Sequence, residues 1–482
     1  MFSRLNNLPT AVKHSLIYAS ALGLSKGLAL IMVPVATHFL SPADYGRLDV
    51  LQTLADLLSI VIGMGLAETL FRFAGSADNT HERKAASANI FGMALLLGSF
   101  ALILGQILAP QISRLLPGDI AETEARLILA SLSMVGTIIV PLAWLRMQGN
   151  AWMYLIGTAG RVALQVAIAV PLLFLGFGVT GVLIATLISA LMLSSWLIRA
   201  QLKDSGISFE FSRFKTYSAY GGPLIFVGMA GFILGSFDRW ILADAVGTAE
   251  MAQYALAAKF GLITAVLIQP FDLWWHARRF SCLKEQDGHE RCARIATVGV
   301  AIALLSALII AAVGPTLVRT LTPETYHQSI QYIPWLAALA ALHNATSTLG
   351  LGAMSEATTV RPALIDGAAA GIALIAYFTL IPTYHAWGAI MATTLALSLR
   401  IVVMYIVSQK ALYLPYKGRR ILLMVTGFLA ALVMIPSAEL SLSIFLQAGL
   451  TILTFIIWVA VLGLLPISKK LVNRPQTQKN EG

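Results

Sequence analysis

The stretch IATVGVAIALLSALIIAAVG, residues 295–314, carries no charge, and Arg294 and Arg319 stand outside its two ends. About 20 apolar residues in a helix rise ~30 Å, the thickness of a bilayer's hydrocarbon core. In lipid every backbone polar group needs an internal partner, so such a stretch reads as a spanning α-helix. Comparable stretches recur along the chain. They predict about fourteen transmembrane helices, at 11–39, 45–73, 85–110, 125–147, 151–175, 178–199, 220–242, 249–276, 294–316, 329–352, 362–381, 387–410, 421–436 and 443–464. Pro436 makes the thirteenth short. Outer-membrane barrel strands run ~10 residues and alternate in polarity, which these stretches do not. Trp144, Trp152, Trp196, Trp240, Trp274, Trp275 and Trp387 lie near predicted boundaries, as interfacial aromatics do.

Composition leads the same way. Of 482 residues, 58% are hydrophobic and 12% charged; the 38 glycines bring the apolar share to about 66%, against ~45–50% in soluble domains. Mean hydropathy is +0.79. A soluble core stops growing at ~250–300 residues, so a water-soluble fold cannot bury this much apolar surface. A disordered chain is excluded by the same share. The N-terminal MFSRLNNLPTAVKHS lacks a signal peptide's short apolar core and cleavage site, so the first helix is expected to be retained. Cys282 and Cys292 fit neither CxxC nor zinc spacing and are expected to be reduced thiols. The fold class is all-α and polytopic.

The connections alternate in charge. One set holds 24 of the 33 Lys and Arg, among them Lys203, Arg213 and Lys215 after span 6 and Arg278, Arg279 and Lys284 after span 8. The other set holds only Arg47, Arg114, Arg126 and Arg319. The positive-inside rule then puts both termini in the cytoplasm. The net charge of +10 follows from this topology; with cations scattered over short loops and no single basic face, no nucleic-acid partner is expected. The loops have no room for a catalytic domain, and no nucleotide-binding, zinc-protease or hydrolase motif occurs. The chain reads as a transporter and not an enzyme, with no catalytic residues, no metal and no cofactor.

An offset of about 207 residues aligns Gly23-x-x-x-Gly27 with Gly231-x-x-x-Gly235 to within one residue, and Phe71-Arg72-Phe73 with Arg278-Arg279-Phe280. Spans 1–6 and 7–12 then form two six-helix lobes in pseudo-twofold repeat, 1–219 and 220–411, followed by spans 13–14 and a cytoplasmic tail, 412–482. Such repeats place a transport site between the halves. Close helix packing without a repeat is the other reading of the glycine pairs.

His38-Phe39-Leu40-Ser41-Pro42-Ala43-Asp44-Tyr45-Gly46 resembles the L-x-P-x-x-Y-G turn of polysaccharide and O-antigen flippases. Gly63-Met64-Gly65-Leu66 with Arg72, Asp238-Arg239-Trp240, Gly247 to Tyr254 with Lys259, and Gln269-Pro270-Phe271 with Trp274, Trp275, Arg279 and Phe280 continue the likeness. The chain is similar to the Wzx-type branch of the multidrug/oligosaccharidyl-lipid/polysaccharide exporter superfamily. The resemblance implies flipping of an undecaprenyl-pyrophosphate-linked oligosaccharide across the bacterial inner membrane by alternating access. Lipid-linked oligosaccharide and membrane lipid are the implied partners, and a polysaccharide polymerase complex is a further candidate.

Charges at depth bear on the cargo. A charge at a helix centre costs ~2.5–3.5 kcal/mol on insertion scales, so it should face a cavity or a partner. Lys26, Arg161, Lys259 and Arg400 lie deep in spans 1, 5, 8 and 12, with Arg239 nearer the outer end of span 7; Asp56 is the comparably deep acid. These five cations are the expected substrate-binding residues, since ammonium and guanidinium groups suit a pyrophosphate. Asp56, Asp238 and Asp366 are expected to pair or to couple transport to protons or sodium. Alternatives stand beside each: a Lys26–Asp56 pair, and packing pairs or snorkelling for Arg161 and Arg400. Glu68 and Arg72 are expected to pair at i,i+4. His343, Asn344, Thr346 and Ser347 of span 10 meet either sugar or another helix. A multidrug antiporter would, by resemblance, carry an acid in span 1, where Lys26 stands; a lipid II-type flippase shares the plan and the anionic cargo.

Overall fold

The computed structural model describes residues 10–63, 65–354, 360–435 and 442–464. Arg4, Met64, Pro436 and the tail cations Lys469, Lys470, Arg474 and Lys479 lie outside the described residues. Regular structure among the described residues is helical throughout. The helices are α1 (Thr10–Phe39), α2 (Pro42–Gly63), α3 (Leu66–Gly75), α4 (Thr80–Leu115), α5 (Glu122–Leu132), α6 (Val135–Met147), α7 (Ala151–Phe174), α8 (Gly178–Asp204), α9 (Phe211–Gly235), α10 (Asp238–Val246), α11 (Thr248–Leu283), α12 (Gly288–Leu321), α13 (Ile333–Leu349), α14 (Val360–Ala411), α15 (Gly418–Met434) and α16 (Leu442–Val461). Among the described residues, ten helical stretches are long and apolar enough to cross a membrane, counting α2 with α3 and α5 with α6 as one each. The chain is a multi-pass helical membrane protein.

Four predicted spans are interrupted. The 125–147 span breaks at Ser133 and Met134, between α5 and α6. The 45–73 span breaks between α2 and α3, where Gly65 has φ 60°, a left-handed conformation that costs glycine little. The 220–242 span breaks at Ser236 and Phe237, so Asp238 and Arg239 open the separate helix α10. The 329–352 span begins as a 3-10 helix, Glu324–Tyr332, and becomes α-helical at Ile333, where Pro334 suits a helix's first turn.

The chain divides into two compact units. The first comprises Met1–Lys259, Val318–Ser329 and Ala363–Ala396; the second comprises Phe260–Leu317, Ile330–Pro362 and Leu397–Gly482. In the first, α1 packs along α7, α7 along α8, and α4 against α5 and α6. Leu66, Leu70, Ile90, Phe91 and Trp144 form one buried core there. Asp204 ties three helices at one end: it accepts from Trp144 Nε1 at 2.7 Å and pairs with Lys84 at 3.1 Å. In the second, Trp275, Cys282, Cys292, Leu351 and Leu414 share a core, and both cysteines are free thiols.

The polarity of the packing is that of a membrane protein. Phe100, Ile103 and Ile107 form an exposed apolar stripe on α4, while Ser87, Asn89, Thr137 and Ser194 are buried. Thr137 and Ser194 hydrogen-bond at 2.6 Å. Small polar residues let helices approach and bond across. The repeated glycines do not serve that purpose: a Cβ added at Gly23, Gly27, Gly231 or Gly235 would meet nothing within 4 Å. The close-packing reading of those pairs therefore fails.

Candidate functional site

Helix α2 presents Asp49, Gln52 and Asp56 at i, i+3 and i+7, which a period of 3.6 residues places on one face. Two other helices bring cations to it. Arg239, in the first turn of α10, puts Nη1 3.1 Å from Asp49 Oδ2. Lys259 of α11 puts Nζ 3.1 Å from Asp49 Oδ1 and donates to Gln52 Oε1 at 3.3 Å. One carboxylate thus holds two cations. Burial is graded: the Asp49 side chain is 3% exposed, Arg239 8% and Lys259 20%. Gln52 and Asp56 are exposed, so the cluster has a closed heart and an open edge. The fields of Arg239, Lys259 and Asp49 all reach Asp56.

Asp238 takes a different side-chain partner from its neighbour Arg239. Its Oδ2 accepts from the Tyr254 hydroxyl, and its Oδ1 is buried with no hydrogen-bond partner. Successive helical residues diverge by ~100°, which is why Arg239 serves Asp49 while Asp238 serves Tyr254. Tyr377 lies in the field of Asp238 and bonds Thr393 at 2.9 Å.

The turn before α2 explains its own residues. A Cβ on Gly46 would stand 2.0 Å from the backbone oxygen of Thr248, so α2 and the start of α11 meet there only because position 46 has no side chain. Tyr45 stacks edge-on against Tyr326, with ring centroids 5.7 Å apart. The Tyr326 hydroxyl donates to Leu40 O at 2.9 Å, and burial pushes it well above the usual tyrosine range, so it stays a donor. Arg47 bonds Glu124 at 2.7 Å and Asp44 at 3.2 Å.

The ion-pair partners of Asp49 among the described residues do not include Lys26, Arg161 or Arg400. Lys26 is exposed on α1 and makes no ion pair among the described residues, so a Lys26–Asp56 pair does not form. Arg161 lies midway along α7, which packs on α1; its Nε is buried and unbonded. Gln165, one turn on, turns instead to Thr186 at 2.9 Å. Asp366 is half-buried on α14. Arg400, in the second unit, lies 3.4 Å from His343 Nδ1. In that unit Asn344 donates to Asp272 of α11 at 2.5 Å, while Thr346 and Ser347 bond carbonyls of their own helix. Asn344 is thus used between helices. Glu68 and Arg72 do not pair either; both are exposed, where an ion pair gains little over solvation. Asp49 is the residue that the hydropathy reading passed over, and its i,i+7 spacing from Asp56 was the available signal.

The chain covers 92% of its length on a structure of the lipid II flippase MurJ, inward closed, and 98% of that chain, with TM-score 0.74 at 12% identity. An inward-facing multidrug resistance MATE transporter of the MOP superfamily matches with TM-score 0.59 at 16% identity, over 81% of this chain and 94% of that one. The fold is that of MOP-superfamily transporters. The succinoglycan biosynthesis transport protein ExoT of Rhizobium meliloti (strain 1021) is 24% identical over 242 residues, 49% of this chain and 47% of that protein. A Shigella flexneri protein named for O-antigen transport is 23% identical over 242 residues, 47% of this chain and 57% of that protein. The chain spans about half the length of the curated relatives it matches. The profile described as polysaccharide biosynthesis protein matches residues 11–271, more than half the sequence, and on that match the chain belongs to the polysaccharide biosynthesis protein family.

Proposed function

We propose that the protein is a flippase. Its cargo is an undecaprenyl-pyrophosphate-linked oligosaccharide, the repeat unit of an O-antigen, capsule or exopolysaccharide. It moves that cargo from the cytoplasmic to the periplasmic leaflet of the inner membrane, with fourteen crossings, both termini cytoplasmic, and the lobes 1–219 and 220–411 alternating in access. The observation that carries the reading is Arg161. Its guanidinium sits halfway along an apolar helix, with Nε buried and unbonded and no carboxylate paired to it among the described residues. A cation kept at that depth without a protein partner is costly unless an anion or water meets it. Lys26, on the helix packed against it, is a second mid-helix cation, exposed and without an ion pair among the described residues. An anion of charge about −2 leaving a negative interior runs downhill by roughly 4–5 kcal/mol per 100 mV. Proton or sodium coupling through Asp56, Asp238 or Asp366 is the added element.

The test is surface-glycan display in cells carrying Arg161→Gln or Lys259→Gln. Losing a hydrogen bond to a charged group removes ~1.5–3 kcal/mol, a ten- to hundredfold drop in affinity. Neither change strands a partner: Arg161 has no ion pair among the described residues, and Asp49 keeps Arg239. Protein level should therefore hold while display is lost. Normal display from both variants would end the reading. A lipid II-type cargo is the second reading, favoured by the match to MurJ along nearly the whole of both chains. Growth rescue of cells lacking their lipid II flippase would select it.

A further inference from the structure

We propose that Asp49 is a built-in stand-in for the cargo's phosphoanion: it holds Lys259 in the unloaded protein and yields it when a phosphate arrives. The inference rests on the anionic-cargo reading above and adds to it how the site is kept when empty. Three observations carry it. Asp49 has two cationic partners at the same distance, 3.1 Å. The more exposed of them, Lys259, lies on the open edge beside Gln52, while Arg239 is enclosed with Asp49. Removing Lys259 from Asp49 leaves a one-to-one buried pair, Asp49 with Arg239, so the carboxylate is never stranded in the membrane. A partly buried ammonium with no counter-ion would resist the empty protein's return; a carboxylate already in place lowers that cost. A phosphate oxygen reaching Lys259 from the Gln52 side then competes with a single contact, and Gln52 Oε1 keeps hold of the ammonium during exchange. Asp56, exposed one turn beyond Gln52, repels an anion that overshoots.

Binding of inorganic pyrophosphate to the purified full-length protein in nanodiscs tests this. Asp49→Asn should bind pyrophosphate at least tenfold more tightly than wild type, because Lys259 has lost its internal competitor. Asp49→Asn alone also strands Arg239 and can lower the yield. The double change Asp49→Asn/Arg239→Gln removes both members of the enclosed pair, keeps Lys259, and should show the same gain; adding Lys259→Gln should abolish it. Equal affinity in wild type and the double variant, with Lys259→Gln still weakening binding in the wild-type background, overturns the stand-in while leaving the anion site intact. Lys259→Gln without effect in either background overturns the stand-in and removes Lys259 from the anion site. Nanodiscs of zwitterionic lipid and of anionic lipid separate the sources of phosphate. The gain should appear in both; a gain erased by anionic lipid would mean that a membrane headgroup, and not cargo, is what Asp49 imitates.

Discussion

Asp49 and Gly46 lie one helical turn apart on α2, and each does its work through an atom that no other residue type would place correctly. Asp49 reaches two cations because it is short and doubly accepting; Gly46 lets α2 touch α11 because it has no side chain at all. Gly46→Ala would put its Cβ 2.0 Å from Thr248 O, a backbone atom, so the helices must part. Overpacking of this kind costs ~1–3 kcal/mol. We expect Gly46→Ala to reduce the yield of folded protein, read by fluorescence-detected gel filtration. Thr248→Ala should give no rescue, because the obstructing oxygen stays; rescue would show that the Thr248 side chain, and not the backbone approach, sets the contact. The L-x-P-x-x-Y-G turn was legible as a motif. Its physical reason was not, because Thr248 lies about 200 residues away in sequence.

At the scale of the element, α14 is the most informative. A continuous helix of 52 residues would be ~78 Å long, more than twice the hydrocarbon thickness. The chain breaks it at His385, with φ 52° and ψ −130°, between the two predicted spans 362–381 and 387–410. That conformation costs a residue with a side chain ~1–3 kcal/mol and glycine almost nothing. His385→Gly should therefore raise the thermal midpoint in detergent, and His385→Val should lower it, since a β-branched residue tolerates positive φ least. The His385 contact with Glu250, 3.4 Å at an exposed site, is too weak to reverse that order. A lower midpoint for His385→Gly would show that the imidazole holds the break. Hydropathy placed this break correctly because the polar Thr383, Tyr384 and His385 interrupt an apolar run. It missed the breaks at Gly65, Ser133 and Ser236, where the backbone turns within a few residues and the apolar run resumes on the far side.

For the whole molecule, the distribution of Lys and Arg makes the strongest claim. If the connection after α8 faces the cytoplasm, a reporter fused after Asp204 should give a cytoplasmic signal in intact cells. A periplasmic signal would invert the proposed topology and, with it, the direction of transport. The local structure gives that fusion point a stable anchor: Asp204 joins α8 to Lys84 of α4 and Trp144 of α6. Lys84 is one of the cations whose count set the orientation, so its charge serves both topology and packing.

Solvent preference is a property of composition and run length, so the all-helical, many-span character and most helix positions follow from the sequence alone: each ~20-residue apolar stretch has one low-energy answer in lipid. Deep charges are also visible in sequence, because each is an exception within an apolar run. Which of them meet is not, since pairing depends on helix rotation and on contacts between residues far apart in the chain. Asp49 and Arg239 are separated by 190 positions, yet their side chains lie 3.1 Å apart. Lys26 and Asp56, a pairing drawn from neighbouring spans, do not meet. Hydropathy constrains depth along a helix axis but leaves the angle around that axis free, and only tertiary packing sets that angle.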